Sequence, residues 1–125
     1  MTTLMQCVAD FGRDIGIDGL QPQADGSLQL KLEGGDLLGL QQVDDEVVLH
    51  YAQLCGFDVA ERLMRAMKLS AQVRAAQAMV QVGLRETHEA RWLLAVLRAP
   101  VQNFSARDMH QSIETLRNFL DSTKA

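Results

Sequence analysis

Three histidines are the residues of this chain whose chemistry best suits catalysis or metal binding. His88 lies between Glu86 and Glu89, and imidazole and carboxylate groups are common zinc ligands. The same short polar segment separates two apolar runs, which is typical of a solvated turn. His50 and His110 have no second histidine at the HxxxH or HExxH spacing of a helical zinc site. We therefore predict no catalytic residue and no metal site.

Two further segments have residue types that can bind ligands. The Gly34-Gly35-Asp36 segment lacks the GxxxxGK and GxGxxG spacings of phosphate-binding loops, and it predicts a tight hairpin turn instead. The Asp44-Asp45-Glu46 cluster has too few regularly spaced oxygen ligands for a calcium loop. Cys7 and Cys55 belong to no CxxC motif, so we predict two reduced thiols. No cofactor is expected.

Length and charge restrict the class of protein. A chain of 125 residues fits a single domain, residues 1–125. Twelve Lys+Arg against sixteen Asp+Glu give a net charge of −4, and the scattered basic residues form no stripe for nucleic acid. No apolar run approaches the ~20 residues of a membrane span, and residues 1–16 contain no signal-peptide core. We expect a soluble cytoplasmic protein.

The first half of the chain changes from helical to strand periodicity. Apolar residues at helical spacing predict a helix from Leu4 to Ile15. After a loop rich in turn-forming residues, alternating patterns predict three strands over residues 27–33, 37–43 and 46–53. Short turns separate these strands, so we predict an antiparallel meander.

The second half returns to a helix and then adds two strands and a last helix. A helix is predicted from Val59 to about Leu69, and residues 70–77 are predicted to be a loop with helical tendency. Strands are predicted over residues 78–84 and 92–97, the second apolar on both faces and therefore covered on both sides. Ser105 caps the final helix. The order α-β-β-β-α-β-β-α predicts an α+β fold, a twisted antiparallel sheet with helices packed on it.

The first three strands carry apolar residues on both faces. One interpretation is that all of them build the core. The other is that some form an exposed apolar patch or an open edge that accepts a partner. The residues concerned are Leu28, Leu30, Leu32, Leu37, Leu38, Leu40, Val43, Val47, Val48 and Leu49.

The order of elements and several segments resemble the class I type III secretion chaperones (CesT/SycE-like). The resemblance rests on the helix end Phe11–Ile17, the strand meander and the short helix Ala60–Leu69. From Met67 to the last helix the chain is most similar to the SycN-type chaperones. It departs from many members in two places. After the second helix, Leu69-Ser70-Ala71 stands where many members carry an asparagine, and before the last helix, Arg98-Ala99-Pro100-Val101 stands where they carry a Pro-Leu pair.

The resemblance implies a chaperone that binds the N-terminal chaperone-binding segment of a secreted effector or gatekeeper protein. Such a chaperone keeps its client extended and competent for secretion without ATP, in the bacterial cytoplasm. It forms a homodimer, or a heterodimer with a second small chaperone. The implied client-binding residues are Leu4, Val8, Phe11, Leu28, Leu30, Leu32, Leu38 and Leu40. The implied dimer-interface residues are Leu63, Met64, Met67, Val80, Val82 and Leu84.

Two alternatives stay open at this point. The first is a small α+β enzyme or ligand-binding domain, for which a pocket enclosing His50 or His88 with convergent carboxylates would be diagnostic. The second is a regulatory subunit that shares the chaperone fold and stays with its complex.

Overall fold

The computed structural model describes residues 4–73 and 80–124, which form three helices and one five-stranded sheet. All strand pairs are antiparallel, in the order β1-β2-β3-β5-β4. The predicted α+β fold and element order are thereby confirmed. The elements are α1 Leu4–Asp14, β1 Ser27–Lys31, β2 Leu37–Val43, β3 Glu46–Cys55, α2 Val59–Val73, β4 Gln81–Glu86, β5 Arg91–Pro100 and α3 Ala106–Asp121.

The helices cover one face of the sheet, which we call the helix face. Strand register places Leu28, Leu40, Leu49 and Leu97 side by side in one row across four strands, and all four are buried. The apolar stripe of α3 packs against this face. That stripe is the predicted one, with Met109, Ile113, Leu116, Phe119 and Leu120 all buried.

The opposite, open face carries no helix of the described chain. Its central row runs from Gly39 through His50 to Val96. The His50 ring occupies the space that a Cβ atom at Gly39 would fill, so the histidine packs over the neighbouring strand where the glycine leaves room. Burial and the nearby positive charge of Arg85 lower the pKa of His50.

The predicted turn and cap are present. Gly34 and Gly35 both have positive φ in the β1–β2 turn, a conformation that glycine adopts without strain. The Ser105 side chain accepts a hydrogen bond from the Asp108 backbone N–H, and the Asp108 carboxylate accepts one from the Ser105 backbone N–H, which completes a capping box.

A buried arginine fastens α2 to the end of α3. Arg62 is only 3% exposed, and its Nη2 donates to Gln53 Oε1 (2.7 Å) and to the Leu120 carbonyl (3.1 Å). Its Nε donates to Thr123 Oγ1 (3.1 Å), and its Nη1 to Cys55 Sγ (3.4 Å). A cation beside carbonyls at a helix C-terminus also interacts favourably with the helix dipole.

Several predicted boundaries are wrong. The first strand ends at Lys31 and not at residue 33, and the fifth runs from Arg91 to Pro100 and not over residues 92–97. Residues 70–73 are helical, so the loop prediction fails there, while residues 74–77 lie outside the described part. The extra turn of α2 is held by a hydrogen bond from Ser70 Oγ to the Val80 carbonyl. The fourth strand runs from Gln81 to Glu86 and not over residues 78–84, of which residues 78 and 79 lie outside the described part. The third strand continues to Cys55 because β5 pairs with it along its whole length.

The coverage predicted for the fifth strand is confirmed for one face only. Leu93, Ala95 and Leu97 are buried on the helix face. Their neighbours on the open face, Trp92, Leu94 and Val96, are half-exposed. The apolar residues of that face therefore lack a cover within the described chain.

Candidate functional site

The histidines do not come together. His88 is exposed in the β4–β5 turn, and His50 lies on the open face. The His110 ring packs beside Phe11, with the ring centroids 4.7 Å apart, and its Nε2 lies 2.9 Å from Asp14 Oδ2. Among residues 4–73 and 80–124, no group of three His, Cys, Asp or Glu side chains could hold a metal ion.

A groove of about 660 Å³ runs between α1, α3 and the β1–β2 hairpin, and we call it the α1–α3 groove. Its floor is apolar, and its rim carries charges of both signs together with polar groups. The apolar floor residues are Phe11, Leu32, Leu38 and Ile113, the exposed Ile15 lies at the margin, and the charged and polar rim residues are Lys31, Glu33, His110, Glu114, Arg117 and Asn118.

A hydrogen-bonded triad sets the position of one wall of this groove. The Tyr51 hydroxyl donates to Asp36 Oδ2 (2.7 Å) and accepts from Arg117 Nε (3.1 Å). The Arg117 guanidinium carbon also lies 5.7 Å from the Tyr51 ring centroid, within cation–π range. Burial raises the pKa of Tyr51, so the phenol stays a donor at neutral pH. The triad ties the β1–β2 hairpin to α3 through β3.

The groove continues into an open edge of the sheet. β1 is the first strand in the sheet order and, among the described residues, pairs only with β2. Its first residue, Ser27, already has partners, because its N–H donates to Asp25 Oδ1 and its carbonyl accepts from the Gln23 N–H. Lys31, at the end of β1, and the two residues after it, Leu32 and Glu33, line the groove. An edge strand offers unpaired N–H and C=O groups to an extended peptide, so a peptide paired with β1 would enter the groove.

The residues predicted to bind a client lie mostly beneath the surface. Leu4, Val8, Phe11, Leu28, Leu38 and Leu40 are buried in the core, and Leu30 and Leu32 are half-buried. The structure brings three of the eight, Phe11, Leu32 and Leu38, to the α1–α3 groove. The client contact of all eight stays a prediction, and for the buried residues away from the groove it would require the core to open.

Sequence reasoning missed the α3 side of the groove. Ile113, Glu114 and Arg117 lie about 80 to 100 residues after the α1 and β1 residues that they face. One signal was available: Arg117 lies four residues after Ile113, so the two share a helix face where the apolar stripe borders a charged residue.

The residues predicted to form a dimer interface divide into exposed and buried ones. Met64 and Met67 are each 60% exposed on α2, and Leu84 is exposed on β4. Leu63 and Val82 are half-buried, and Val80 is buried. A cleft of about 620 Å³ opens between the end of α2 and β4, lined by Met67, Ser70, Ala71, Val82, Leu84 and Leu94 among others.

Both cysteines are free thiols. Cys7 is fully buried in α1, and burial is the main cause that raises its pKa to about 11. Cys55 is half-buried at the end of β3. In the described part of the chain, no helix combines the length and apolar character needed to cross a membrane.

No protein-family model and no curated protein matches the sequence. Solved structures do share its fold. The ExsC–ExsE complex matches with a TM-score of 0.69 and 10% identity, over 94% of this chain and 87% of that chain. The Yersinia pestis type III secretion chaperone SycH, in complex with a fragment of YscM2, matches with a TM-score of 0.67 and 11% identity, over 98% and 100%.

Two other structures show how widely the fold occurs. The HopA1–SchA chaperone–effector complex matches with a TM-score of 0.65 and 16% identity, over 92% of this chain and 91% of that chain. YbjN from E. coli, a proposed transcription regulator, matches with a TM-score of 0.55 and 11% identity, over 91% and 83%. The chain thus has the α+β fold that is found in type III secretion chaperones.

Proposed function

We propose that this protein is a non-enzymatic type III secretion chaperone of the bacterial cytoplasm, made of one domain over residues 1–125. Its client is the N-terminal chaperone-binding segment of a secreted effector or gatekeeper protein, which it holds extended without ATP or cofactor. The observation that carries the proposal is the apolar α1–α3 groove that continues the open edge of β1. The fold shared with SycH and SchA supports it.

The groove and the edge suit an extended peptide better than a folded ligand. Main-chain hydrogen bonds to β1 would supply affinity that does not depend on sequence. Side chains on one face of the added strand would point toward the helix face, where the floor residues Phe11, Leu32 and Ile113 offer an apolar anchor site. An unfolded client loses conformational entropy when it binds, so the anchor must contribute most of the net affinity.

The enzyme alternative has one observation to consider, a cleft of about 420 Å³ in the β4–β5 turn region that is lined by Glu86, His88 and Glu89. These three side chains are exposed to solvent, and among the described residues no group of three His, Cys, Asp or Glu side chains could hold a metal ion. The cleft therefore favours an enzyme less than the α1–α3 groove favours a chaperone. The regulatory alternative remains compatible with the fold, because one fold can host several functions. YbjN, described as a proposed transcription regulator, has a similar fold. The client-binding experiment separates the regulatory alternative from the chaperone proposal.

The test compares two groove variants with a matched control outside the groove. Ile15 and Val43 are exposed to nearly the same extent, 42% and 44%, but only Ile15 lines the groove. The probes are N-terminal fragments of the type III secreted proteins encoded in the same genome. We expect Ile15→Asp and Leu32→Asp to weaken binding of the client fragment roughly tenfold or more, because a carboxylate would be desolvated against an apolar floor, and Val43→Asp to leave it unchanged.

Binding is measured by titration calorimetry and by co-purification from cells that express both proteins. Circular dichroism confirms that each variant is folded before its affinity is compared. Equal binding by all three variants and the unchanged protein would refute the groove as the client site. No binding by any secreted N-terminal fragment would refute the chaperone function.

A further inference from the structure

Arg117 is the charged residue of the α1–α3 groove whose side chain is best held in place. Its Nε donates to the Tyr51 hydroxyl at 3.1 Å, and its guanidinium carbon lies 5.7 Å from the centroid of the Tyr51 ring. That hydroxyl donates its single proton to Asp36 Oδ2, which leaves its oxygen free to accept from Arg117. Tyr51 is only 1% exposed, so the residue that holds the arginine belongs to the core. The Arg117 side chain is therefore positioned before a client binds.

The outer end of the Arg117 side chain has unused hydrogen-bond donors. A guanidinium carries N–H donors on each of its nitrogens. Within residues 4–73 and 80–124, neither Nη1 nor Nη2 of Arg117 forms a hydrogen bond or an ion pair. Arg117 is exposed on the rim of the groove, and the exposed rim residues Glu33 and Glu114 do not pair with it. The remaining donors of a positioned cation are thus left for a partner.

We propose that Arg117 binds a side-chain carboxylate, from Asp or Glu, of the client segment and so determines which segments the α1–α3 groove accepts. This inference rests on the proposed chaperone function. A planar guanidinium pairs with a carboxylate through two parallel hydrogen bonds. The apolar floor accepts hydrophobic side chains from many sequences, so the polar rim has to supply the discrimination between clients. Because Tyr51 already holds the arginine, little side-chain entropy is lost when the carboxylate binds.

The place of Arg117 on α3 also predicts where the carboxylate lies in the client sequence. Arg117 follows the floor residue Ile113 by four positions on α3, which separates them by about 6 Å along the helix axis and places them on one face. An extended chain advances about 6.6 Å in two residues, and those two side chains point the same way. For a client that lies along α3, the acidic residue is therefore expected two positions from the apolar residue that covers Ile113.

The two rim glutamates offer the opposite selectivity, for a basic client residue. In the described part of the chain, the side chains of Glu33 and Glu114 form no hydrogen bond or ion pair that would fix their conformation. Each would lose side-chain entropy on binding a cation. Arg117 does not carry this cost to the same extent, and the observations therefore favour an acidic client residue.

The test is a double-mutant cycle between Arg117 and the acidic residues of the client. The probes are N-terminal fragments of the type III secreted proteins encoded in the same genome, each also prepared with Asn and Gln in place of Asp and Glu. We expect this replacement to weaken calorimetric binding to the unchanged protein roughly tenfold, because it removes a charge-assisted pair. The same replacement should weaken binding to Arg117→Gln by less than about twofold, because the pair is already absent.

Two further variants separate recognition from general effects of charge and structure. Arg107→Gln removes the same charge from an exposed position on α3 outside the groove, and it should keep the full dependence on client carboxylates. Tyr51→Phe removes the hydroxyl that positions Arg117, so it should reduce that dependence and leave binding of the Asn/Gln fragments nearly unchanged. A merely structural role of Tyr51 would weaken both forms of the fragment alike. Circular dichroism confirms the fold of each variant.

The possible failures of the two proposals are distinguishable. Fragments that bind the unchanged protein equally well with and without carboxylates, or that lose as much affinity for Arg117→Gln as for the unchanged protein, would overturn the role of Arg117 and leave the groove as the client site. A dependence on client Lys or Arg that Glu114→Gln abolishes would overturn it in favour of a basic client residue. No binding by any fragment would refute the chaperone function, and this inference with it.

Discussion

Replacing Arg62 by methionine should destabilise the fold far more than the same replacement at Arg65. Both arginines lie on α2 and reach the end of α3, but Arg62 is 3% exposed and donates four hydrogen bonds. Arg65 is half-buried, and its Nε donates to the Thr123 carbonyl at 2.7 Å, while its buried Nη2 has no hydrogen-bond partner among residues 4–73 and 80–124. Methionine fills a similar volume in each case but restores no donor.

The magnitude follows from the acceptors that each replacement leaves unpaired. Without Arg62, the buried Gln53 Oε1 loses its donor and Thr123 Oγ1 loses the bond that it accepts, while the Leu120 carbonyl still accepts from the Thr123 hydroxyl and backbone N–H. Each unsatisfied buried group costs about 1 to 3 kcal/mol, so we expect Arg62→Met to lower the free energy of unfolding by about 3 kcal/mol. Arg65→Met loses one strong hydrogen bond and should cost about 1 kcal/mol.

The assay is equilibrium unfolding in urea, followed by circular dichroism and by the fluorescence of Trp92, the single tryptophan. Two-state analysis of both probes gives the free energy of unfolding and the m-value. A loss at Arg62 no larger than the loss at Arg65 would refute the reasoning that a fully hydrogen-bonded buried guanidinium holds the two helices together.

Two further predictions concern titratable groups. Burial lowers the pKa of His50 below its ordinary value of 6.5, so the folded protein binds fewer protons at His50 than the unfolded chain does. The stability contributed by neutral His50 is therefore complete above pH 6.5 and is lost as the pH falls through the lower pKa of the folded state. Urea titrations at a series of pH values should show this loss of stability. His50→Gln should abolish the loss, whereas the control His88→Gln should leave it unchanged. A pH profile of stability that is the same in His50→Gln as in the unchanged protein would contradict the burial of the ring. Iodoacetamide at neutral pH should alkylate Cys55 and spare Cys7 in the native protein, because Cys7 is buried with its pKa raised to about 11. Mass spectrometry before and after unfolding in urea locates the label, and early modification of Cys7 would mean that α1 is packed differently.

Most of the fold could be predicted because local patterns determine it. The alternation around Leu28 and Leu30 predicts a strand with one buried face, and the capping pair Ser105 and Asp108 marks the start of α3. The last turn of α2 was missed because residues 70–73 have no strong apolar period, and a tertiary hydrogen bond from Ser70 to Val80 holds them helical.

The candidate site was harder to predict than the fold. A groove forms where elements that are distant in sequence pack together, as α1 with Phe11 and α3 with Ile113 do. The periodicity of residues along one element carries no information on which other element packs against it. Periodicity also predicts which leucines share a face without saying whether a helix covers that face. Leu38 and Leu40 therefore had the same sequence signal for the core as for an exposed patch, and the tertiary packing of the helices on that face decides for the core.

In the described part of the chain, the sheet has two margins to which no further strand is added, one at β1 and one at β4, with three strands between them. Neighbouring strands are about 4.8 Å apart, so these margins are separated by roughly 19 Å. A polypeptide docked along the first margin would leave the second unobstructed. Two partners, one at each margin, would then not compete for the same space.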